Sequence, residues 1–258
     1  MRVMTFNLRT DFILDINNRW KNRAHIIYEI FDKYDCDIIG LQEVNNLMFK
    51  DVSMELSNYN IVGEPRSKKI FVERNDILVS KKHKILESNT FWLSNYPDKI
   101  GTSVWYSLYP RICTTAIVHL ENGDVVRVYN THLDCFLTAA REHGLKRISE
   151  YIEKQHKIDG LPIILMGDFN ATPNSKLIKN FSAKENGERQ FIAVQESKRE
   201  IYEMTTMGRF KGRKKGRHID YIFVSEEFSI IDAQIINYNK SGKYPSDHYP
   251  ILADLNIR

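Results

Sequence analysis

The spacing of apolar positions along this chain switches repeatedly between the two regular periods, and the switches mark out its elements. Residues 1–7, Met-Arg-Val-Met-Thr-Phe-Asn, alternate well enough for a strand. After Asn18, apolar Trp20, Ala24, Ile27, Phe31 and Tyr34 recur at intervals of three and four, which predicts an amphipathic helix. The short apolar run Asp37–Leu41 reads as a buried strand that delivers Gln42 and Glu43 at its end. Strands are also predicted over 75–80, 84–93, 112–120 and 125–131, with Asn122-Gly123 as the hairpin turn between the last two. Residues 138–156 carry Leu145, Ile148 and Ile152 on one helical face. The run 162–166 predicts another buried strand, ending in Gly167-Asp168-Phe169-Asn170, with Thr172-Pro173 as a helix N-cap and first helical residue. Strands over 219–224, 229–238 and 251–255 complete the set, and the polar stretch 182–217 reads as long loops.

Strands outnumber helices and several follow one another directly, so a regularly alternating βα wheel is disfavoured. Two sheets packed face to face with helices outside them suit the pattern better. The 258 residues are ample for a buried core, and with no repeat or low-complexity linker a single domain spanning 1–258 is expected. Apolar residues at 42% and charged residues at 27% are those of a folded chain rather than a disordered one. A formal net charge of +4 permits an anionic substrate without demanding a polyanion. Three widely spaced cysteines, Cys36, Cys113 and Cys135, argue against a disulfide framework or a zinc-thiolate site and fit reduced thiols. No leader pattern and no apolar run long enough for a bilayer stands in the sequence, so a cytoplasmic protein with no membrane association and no evident protein partner is expected.

The candidate chemistry lies where apolar strands stop. Asn7, Glu43, His132, Asp168, Asn170, Asp220, Asp247 and His248 all sit there, on rigid perches from which distant parts of a chain can converge. Carboxylates and amides without cysteine suit a hard cation such as Mg²⁺, with Mn²⁺ as a substitute. Glu43 is the best candidate for its direct ligand, and Asn7 either orients Glu43 or touches the metal. Asp168 can align or deprotonate a water, and Asn170 can donate to a phosphoryl oxygen. Asp220 is placed to hold the His248 imidazole in one tautomer, with Asp247 as a metal or water ligand. His132 can bind phosphate as imidazolium or protonate a leaving oxygen, and Arg111 can fork onto phosphate oxygens. Singly, most of these residues read better as turn, cap or surface positions, and the Gly167–Asn170 motif reads about equally well either way.

Together the motifs Thr5-Phe6-Asn7, Leu41-Gln42-Glu43, Asn130-Thr131-His132-Leu133, Gly167-Asp168-Phe169-Asn170, Ile219-Asp220-Tyr221-Ile222 and Ser246-Asp247-His248 carry more. In this order and at domain-scale spacing the set resembles the endonuclease/exonuclease/phosphatase superfamily, which holds DNase I-like nucleases, abasic-site endonucleases, bacterial sphingomyelinases and deadenylases. Phe91-Trp92-Leu93-Ser94 and Pro110-Arg111 point to its bacterial branch of small metal-dependent hydrolases. The resemblance implies a four-layer α/β/β/α sandwich with two packed mixed sheets. It implies Mg²⁺ on Glu43 beside Asn7, with Asp247 at or near the metal and Asp168 orienting the attacking water. It further implies that Asn170, His132 and Arg111 grip the phosphate and that His248, supported by Asp220, contacts it. Arg9 stands where many abasic-site enzymes carry Asp, which counts against that specialism and leaves a second metal position open. The expected activity is water attack on a phosphate ester, of a small molecule such as a sugar phosphate or nucleotide. Nucleic acid is the alternative substrate, and a non-catalytic binding module is the alternative class. The basic stretch Met207–Arg217 could track a nucleic-acid backbone, and Trp92, Trp105, Tyr106 and Tyr109 could stack a ring.

Overall fold

A computed structural model describes residues 1–69, 72–183 and 191–258. Twelve strands and five α-helices are formed among them: β1 (Arg2–Asn7), α1 (Ala24–Tyr34), β2 (Ile38–Asn45), α2 (Asn46–Glu55), β3 (Tyr59–Val62), β4 (Glu73–Ser80), β5 (Lys84–Trp92), β6 (Ile112–His119), β7 (Val125–His132), α3 (Thr138–Asp159), β8 (Ile163–Asp168), α4 (Lys176–Ser182), β9 (Phe191–Ala193), α5 (Arg199–Glu203), β10 (Asp220–Ser225), β11 (Phe228–Ile235) and β12 (Ile251–Ile257). They build two six-stranded sheets, ordered β11-β12-β1-β2-β4-β3 and β5-β6-β7-β8-β10-β9. Each is mixed through one central parallel pair, β1 with β2 and β7 with β8, and antiparallel elsewhere.

The period of two along each strand sorts its side chains into layers. In β1, Val3 faces the other sheet while Met4 and Phe6 face α1. In β8, Ile164 and Met166 face inward while Ile163 and Leu165 lie under α3. Three apolar clusters result: one between the sheets, one beneath α1 and α2, and one beneath α3 and α4. Three cores imply four layers, the expected α/β/β/α sandwich. At Gly40 the sheets approach closely: an added Cβ would stand 2.8 Å from Met166 Sδ and 3.0 Å from Asn130.

Several boundaries depart from expectation. The stripe starting at Trp20 becomes helical only at Ala24, because Trp20–Asn22 forms a 3₁₀ turn and Arg23 has non-helical backbone angles (φ −133°, ψ −13°). The expected cap at Thr172 does not start α4. Thr172 closes a turn with Ser175, and Ser175 Oγ caps the helix by accepting from the Ile178 N–H. Strand β2 runs past its expected end at Leu41 to Asn45, through an irregularity in its pairing with β4 between Leu41 and Val44. The stretch expected as loops contains β9 and α5, although its residues 184–190 lie outside those described. All three cysteines are free thiols, Cys36 and Cys113 buried and Cys135 exposed. Among the described residues no helix is long and apolar enough to cross a membrane.

Candidate active site

The parallel pairs place the site. Strands β1 and β2 end on the same edge of one sheet, and β7 and β8 on the facing edge of the other, so the last inward positions of all four meet across the top of the inter-sheet core. Those positions are polar. His132 pairs in register with Asp168, and Asp168 with Asp220 on its other side, so three neighbouring strands deliver three functional groups in a row. Gly167 permits this closeness. It has φ +144°, and a Cβ there would stand 1.9 Å from the Thr131 carbonyl oxygen. Glu43 is aimed differently. It lies in the irregular stretch of β2 with φ +58°, a left-handed conformation that bends the strand and turns its carboxylate into the crevice.

Asn7 joins the two sheets at this point. Its Nδ2 donates to Glu43 Oε1 at 3.0 Å and to Asp168 Oδ2 at 3.1 Å, while its Oδ1 accepts from the Arg9 N–H at 2.9 Å. Its Nδ2 thus orients Glu43, one of the two sequence readings, and its Oδ1 keeps a second lone pair. Glu43 Oε2 also accepts from the Thr10 N–H at 3.1 Å. Asp168 Oδ1 accepts from the Asn170 N–H at 2.8 Å. His248 Nδ1 lies 2.9 Å from Asp220 Oδ2, and its Nε2 lies 3.9 Å from Asp168 Oδ2, so the imidazole sits between two carboxylates.

Electrostatics separates the roles. Burial raises the Asp168 carboxyl to about 7, with the charge of Asp220 adding to it. Burial works against a charged His248, but Asp220, Asp247 and Asp168 outweigh it and hold the imidazolium. His132 goes the other way: burial and then Arg111 push it well below the ordinary histidine value. The hydrogen bonds agree. Asn170 Nδ2 donates to the Leu133 carbonyl, which fixes the amide's orientation, and points at His132 Nε2 at 3.1 Å. That contact suits a neutral ring with a lone pair at His132 Nε2, while Asp168 Oδ2 stands 3.6 Å from the same nitrogen. Burial opposes ionisation of Glu43, but the neighbouring imidazoles and the N–H donors of Asn7 and Thr10 bring it down to about 2. A neutral His132 cannot supply its part of that effect; the two N–H donors and His248 do not depend on it, so Glu43 stays ionised. Asp247 is raised by burial first, with the charge of Glu43 adding to it.

The buried Arg111 guanidinium touches Cys135 Sγ at 3.4 Å through Nη2, and its Nε has no hydrogen-bond partner among the described residues. The expected aromatic group divides: Trp92 is buried, with Nε1 donating to the Arg66 carbonyl at 2.8 Å, while Trp105 is 94% exposed. The basic stretch is fastened beside the site. The Arg209 N–H donates to the Asp247 carbonyl at 2.8 Å, Arg217 Nη2 to the Asn170 carbonyl at 3.2 Å, and Tyr249 Oη to the Arg213 carbonyl at 3.1 Å. Arg209, Lys211, Arg213, Lys214, Lys215 and Arg217 are all exposed.

Other positioning groups escaped the sequence reading. Gln42 Nε2 donates to Thr5 Oγ1, the Gly40 carbonyl and Asn130 Oδ1, while Asn130 Nδ2 donates to the Leu41 and Asp76 carbonyls. This clamp ties β2 to β7 directly beneath Glu43 and His132. Both residues stood in motifs, and the available signal was an amide at an inward position of a buried strand. Thr206 Oγ1 accepts from the Ile219 and Asp220 N–H groups, a role with no sequence signature.

The crevice thus lies between two mixed sheets in a four-layer sandwich, with the Glu43 and Asp247 carboxyl groups beside a buried Asp168–His248–Asp220 row. The chain belongs to the endonuclease/exonuclease/phosphatase family, whose model matches residues 4–248, and it is a phosphoric-ester hydrolase. Solved structures carry the same fold. A mannosyl-6-phosphatase of Bacteroides thetaiotaomicron superposes with a TM-score of 0.87 at 24% identity, covering 100% of both chains. An endonuclease/exonuclease/phosphatase from Bacteroides vulgatus gives 0.86 at 27% identity, covering 100% of this chain and 98% of that one. The human nocturnin catalytic domain, with a bound sulfate anion, gives 0.79 at 19% identity over 100% and 94%. No curated protein sequence matches the chain.

Proposed function

We propose that this protein is a divalent-metal-dependent phosphoesterase that attacks a small phosphorylated molecule, such as a sugar phosphate or nucleotide, with water. The observation that carries the reading is the row His132, Asp168, Asp220 on adjacent strand ends, joined to Glu43 through Asn7. Asp168 is the group that orients the water and takes its proton, as a raised carboxyl pKa near neutrality suits. The His248 imidazolium, held by Asp220, donates to a phosphoryl oxygen. Arg111 contributes its unpaired Nε to the same phosphate, and neutral His132 with Asn170 shapes the remaining wall. As water bonds to phosphorus, the ester P–O bond breaks, and the proton that Asp168 takes from the water is returned through solvent to the leaving oxygen, which departs as the alcohol.

A hard cation fits the remaining donors. Glu43 and Asp247 are half-buried carboxylates opening on the crevice, and burial plus mutual repulsion raises Asp247. Glu43 is the direct ligand, Asp247 the second acidic group, and Asn7 the residue that aims Glu43. Bound there, Mg²⁺, or Mn²⁺ in its place, would neutralise charge on a phosphate or leaving oxygen. The one group of described His, Cys, Asp and Glu residues with ligand atoms mutually within 4.8 Å is instead Asp168, Asp220 and His248. We assign that group to proton handling, because the imidazolium already pairs with Asp220. Full-length coverage of a mannosyl-6-phosphatase fold supports the small-ester substrate.

A nuclease is the second reading, favoured by six exposed cations on a loop fastened to Asp247 and Asn170. Hydrolysis of sugar phosphates, mononucleotides, aryl phosphodiesters, DNA and RNA, with and without Mg²⁺ or Mn²⁺, tests both. Metal-dependent phosphate release from a small ester, lost in Asp168→Ala and Glu43→Ala, is the expected result. Strand cleavage without small-ester turnover would replace it with the nuclease reading, and turnover undiminished by chelators would remove the metal.

A further inference from the structure

Arg23 is a fully buried guanidinium; among the described residues no carboxylate pairs with it and only main-chain carbonyls accept from it. Its Nε donates to the Asn18 carbonyl at 2.8 Å, its Nη1 to the carbonyls of Leu8 and of Pro245 (2.9 Å to the latter), and its Nη2 to that of Arg9. The guanidinium lies 5.4 Å from the ring centroid of Trp20 and 5.6 Å from that of Phe210. Its exposure is 1%. A desolvated cation is costly, and a cation at the start of a helix opposes the helix dipole. The local sequence therefore gives no reason for an arginine at the N-cap of α1.

The four carbonyls share a location. Leu8 and Arg9 directly follow Asn7, which bridges Glu43 and Asp168. Pro245 directly precedes Ser246, Asp247 and His248. Ser246 Oγ donates to the Asn7 carbonyl at 2.7 Å and accepts from the His248 N–H at 3.2 Å. Arg9 itself adopts φ +56°, and the Arg23 guanidinium holds its carbonyl in that left-handed turn. Phe210, also left-handed at φ +55°, belongs to the basic loop whose Arg209 N–H holds the Asp247 carbonyl. One side chain thus reaches the loop after β1, the approach to β12 and the basic loop. Lysine, a compact charge on a flexible stem, cannot reproduce this planar fork.

We propose that Arg23 is a positioning residue that fixes the spacing between the Asn7–Glu43 side of the site and the Asp247–His248 side. A displacement of about 1 Å between catalytic groups costs on the order of 100-fold in rate. The proposal rests on the phosphoesterase reading, so its test has one arm that needs activity and one that does not. In Arg23→Lys, assayed well below the variant's melting temperature because some of the four carbonyls lose their donor, kcat should fall at least about 10-fold with little change in KM. In Arg23→Gly, guanidinium ion at sub-denaturing concentration should restore part of the lost turnover, and urea at the same concentration should not. Independently of activity, hydrogen exchange in Arg23→Lys should quicken at Arg9, Thr10, Arg209 and His248 while the strand amides of β1, β7 and β8 keep their protection. Unchanged exchange at those four amides overturns the proposal, whether or not a substrate has been found. So does wild-type kcat in a folded variant, and so does a loss that follows global unfolding and does not respond to guanidinium. Inactivity of the wild type on every ester with both metals would sink the phosphoesterase reading alone, leaving the exchange arm to decide the role of Arg23.

Discussion

Asp168 carries opposite consequences for chemistry and for stability. Its carboxylate is buried against Asp220, so ionisation is disfavoured by burial first and by that charge second. Asn at this position keeps the shape and one of the two acceptors, for the Asn7 amide or for the Asn170 N–H, and removes the buried charge. Asp168→Asn should lower turnover by roughly 10²- to 10⁴-fold while the melting temperature holds or rises. Parallel kinetics and thermal melts check it, and near-wild-type turnover would remove Asp168 from the mechanism. The same residue marks how far the sequence could be read. Asp168 at the end of an apolar run was recognisable as a candidate, but its raised pKa depends on Asp220, 52 positions away. His132 makes the point more sharply, because the sequence permits an imidazolium and only burial beside Arg111 makes it neutral.

Among the elements, β8 and the segment after β1 make the strongest demands. Ala at Gly167 would have to hold a left-handed φ and would place its Cβ 1.9 Å from the Thr131 carbonyl oxygen. Gly167→Ala should therefore cost about 3 kcal/mol or more in urea unfolding. A loss under about 1 kcal/mol would mean that β7 and β8 can shift apart freely. The segment between β1 and α1 is tied by Asp11, whose carboxylate accepts from Arg19 Nε and Nη2 at 2.6 Å each and from the Trp20 N–H at 2.9 Å. The hydrogen bonds from Arg19 hold the Asp11 carboxyl below the ordinary carboxylate range. A pKa lower in the folded than in the unfolded chain stabilises the fold above the unfolded value and stops doing so as pH falls through the folded one. Wild type should thus exceed Asp11→Asn in stability above the ordinary carboxylate range, and the gap should narrow as pH falls below that range and through the lowered folded value. Urea midpoints across that range measure it, and a gap independent of pH would contradict the assignment.

For the whole molecule, the distribution of charge predicts a response to metal. Glu43 and Asp247 open on the same crevice, and Asp247 is raised by burial, with the charge of Glu43 adding to it. A divalent cation bound there stabilises the native state only. At a hundred times its dissociation constant, Mg²⁺ should add about 2.7 kcal/mol to the unfolding free energy. Glu43→Ala should abolish that increment. Thermal melts with and without Mg²⁺ decide it, and an equal shift in the variant would move the cation away from Glu43.

What the sequence determined by itself was local and ordered. Period-two and helical stripes located most of the elements, and polar residues closing apolar runs picked out Asn7, Glu43, His132, Asp168 and Asp220 as candidates. Those signals survive because backbone period and side-chain polarity are properties of a few neighbouring residues. The bulge that turns Glu43, the later start of α1 and the cap at Ser175 were missed, since each depends on which partner a backbone group finds. Only the tertiary structure decided that β7, β8 and β10 lie side by side, that Asn7 spans two sheets, and that Arg23 fastens three loops. Strand adjacency, register and the dielectric around a buried charge are set by contacts between segments far apart in the chain, and no local pattern encodes them.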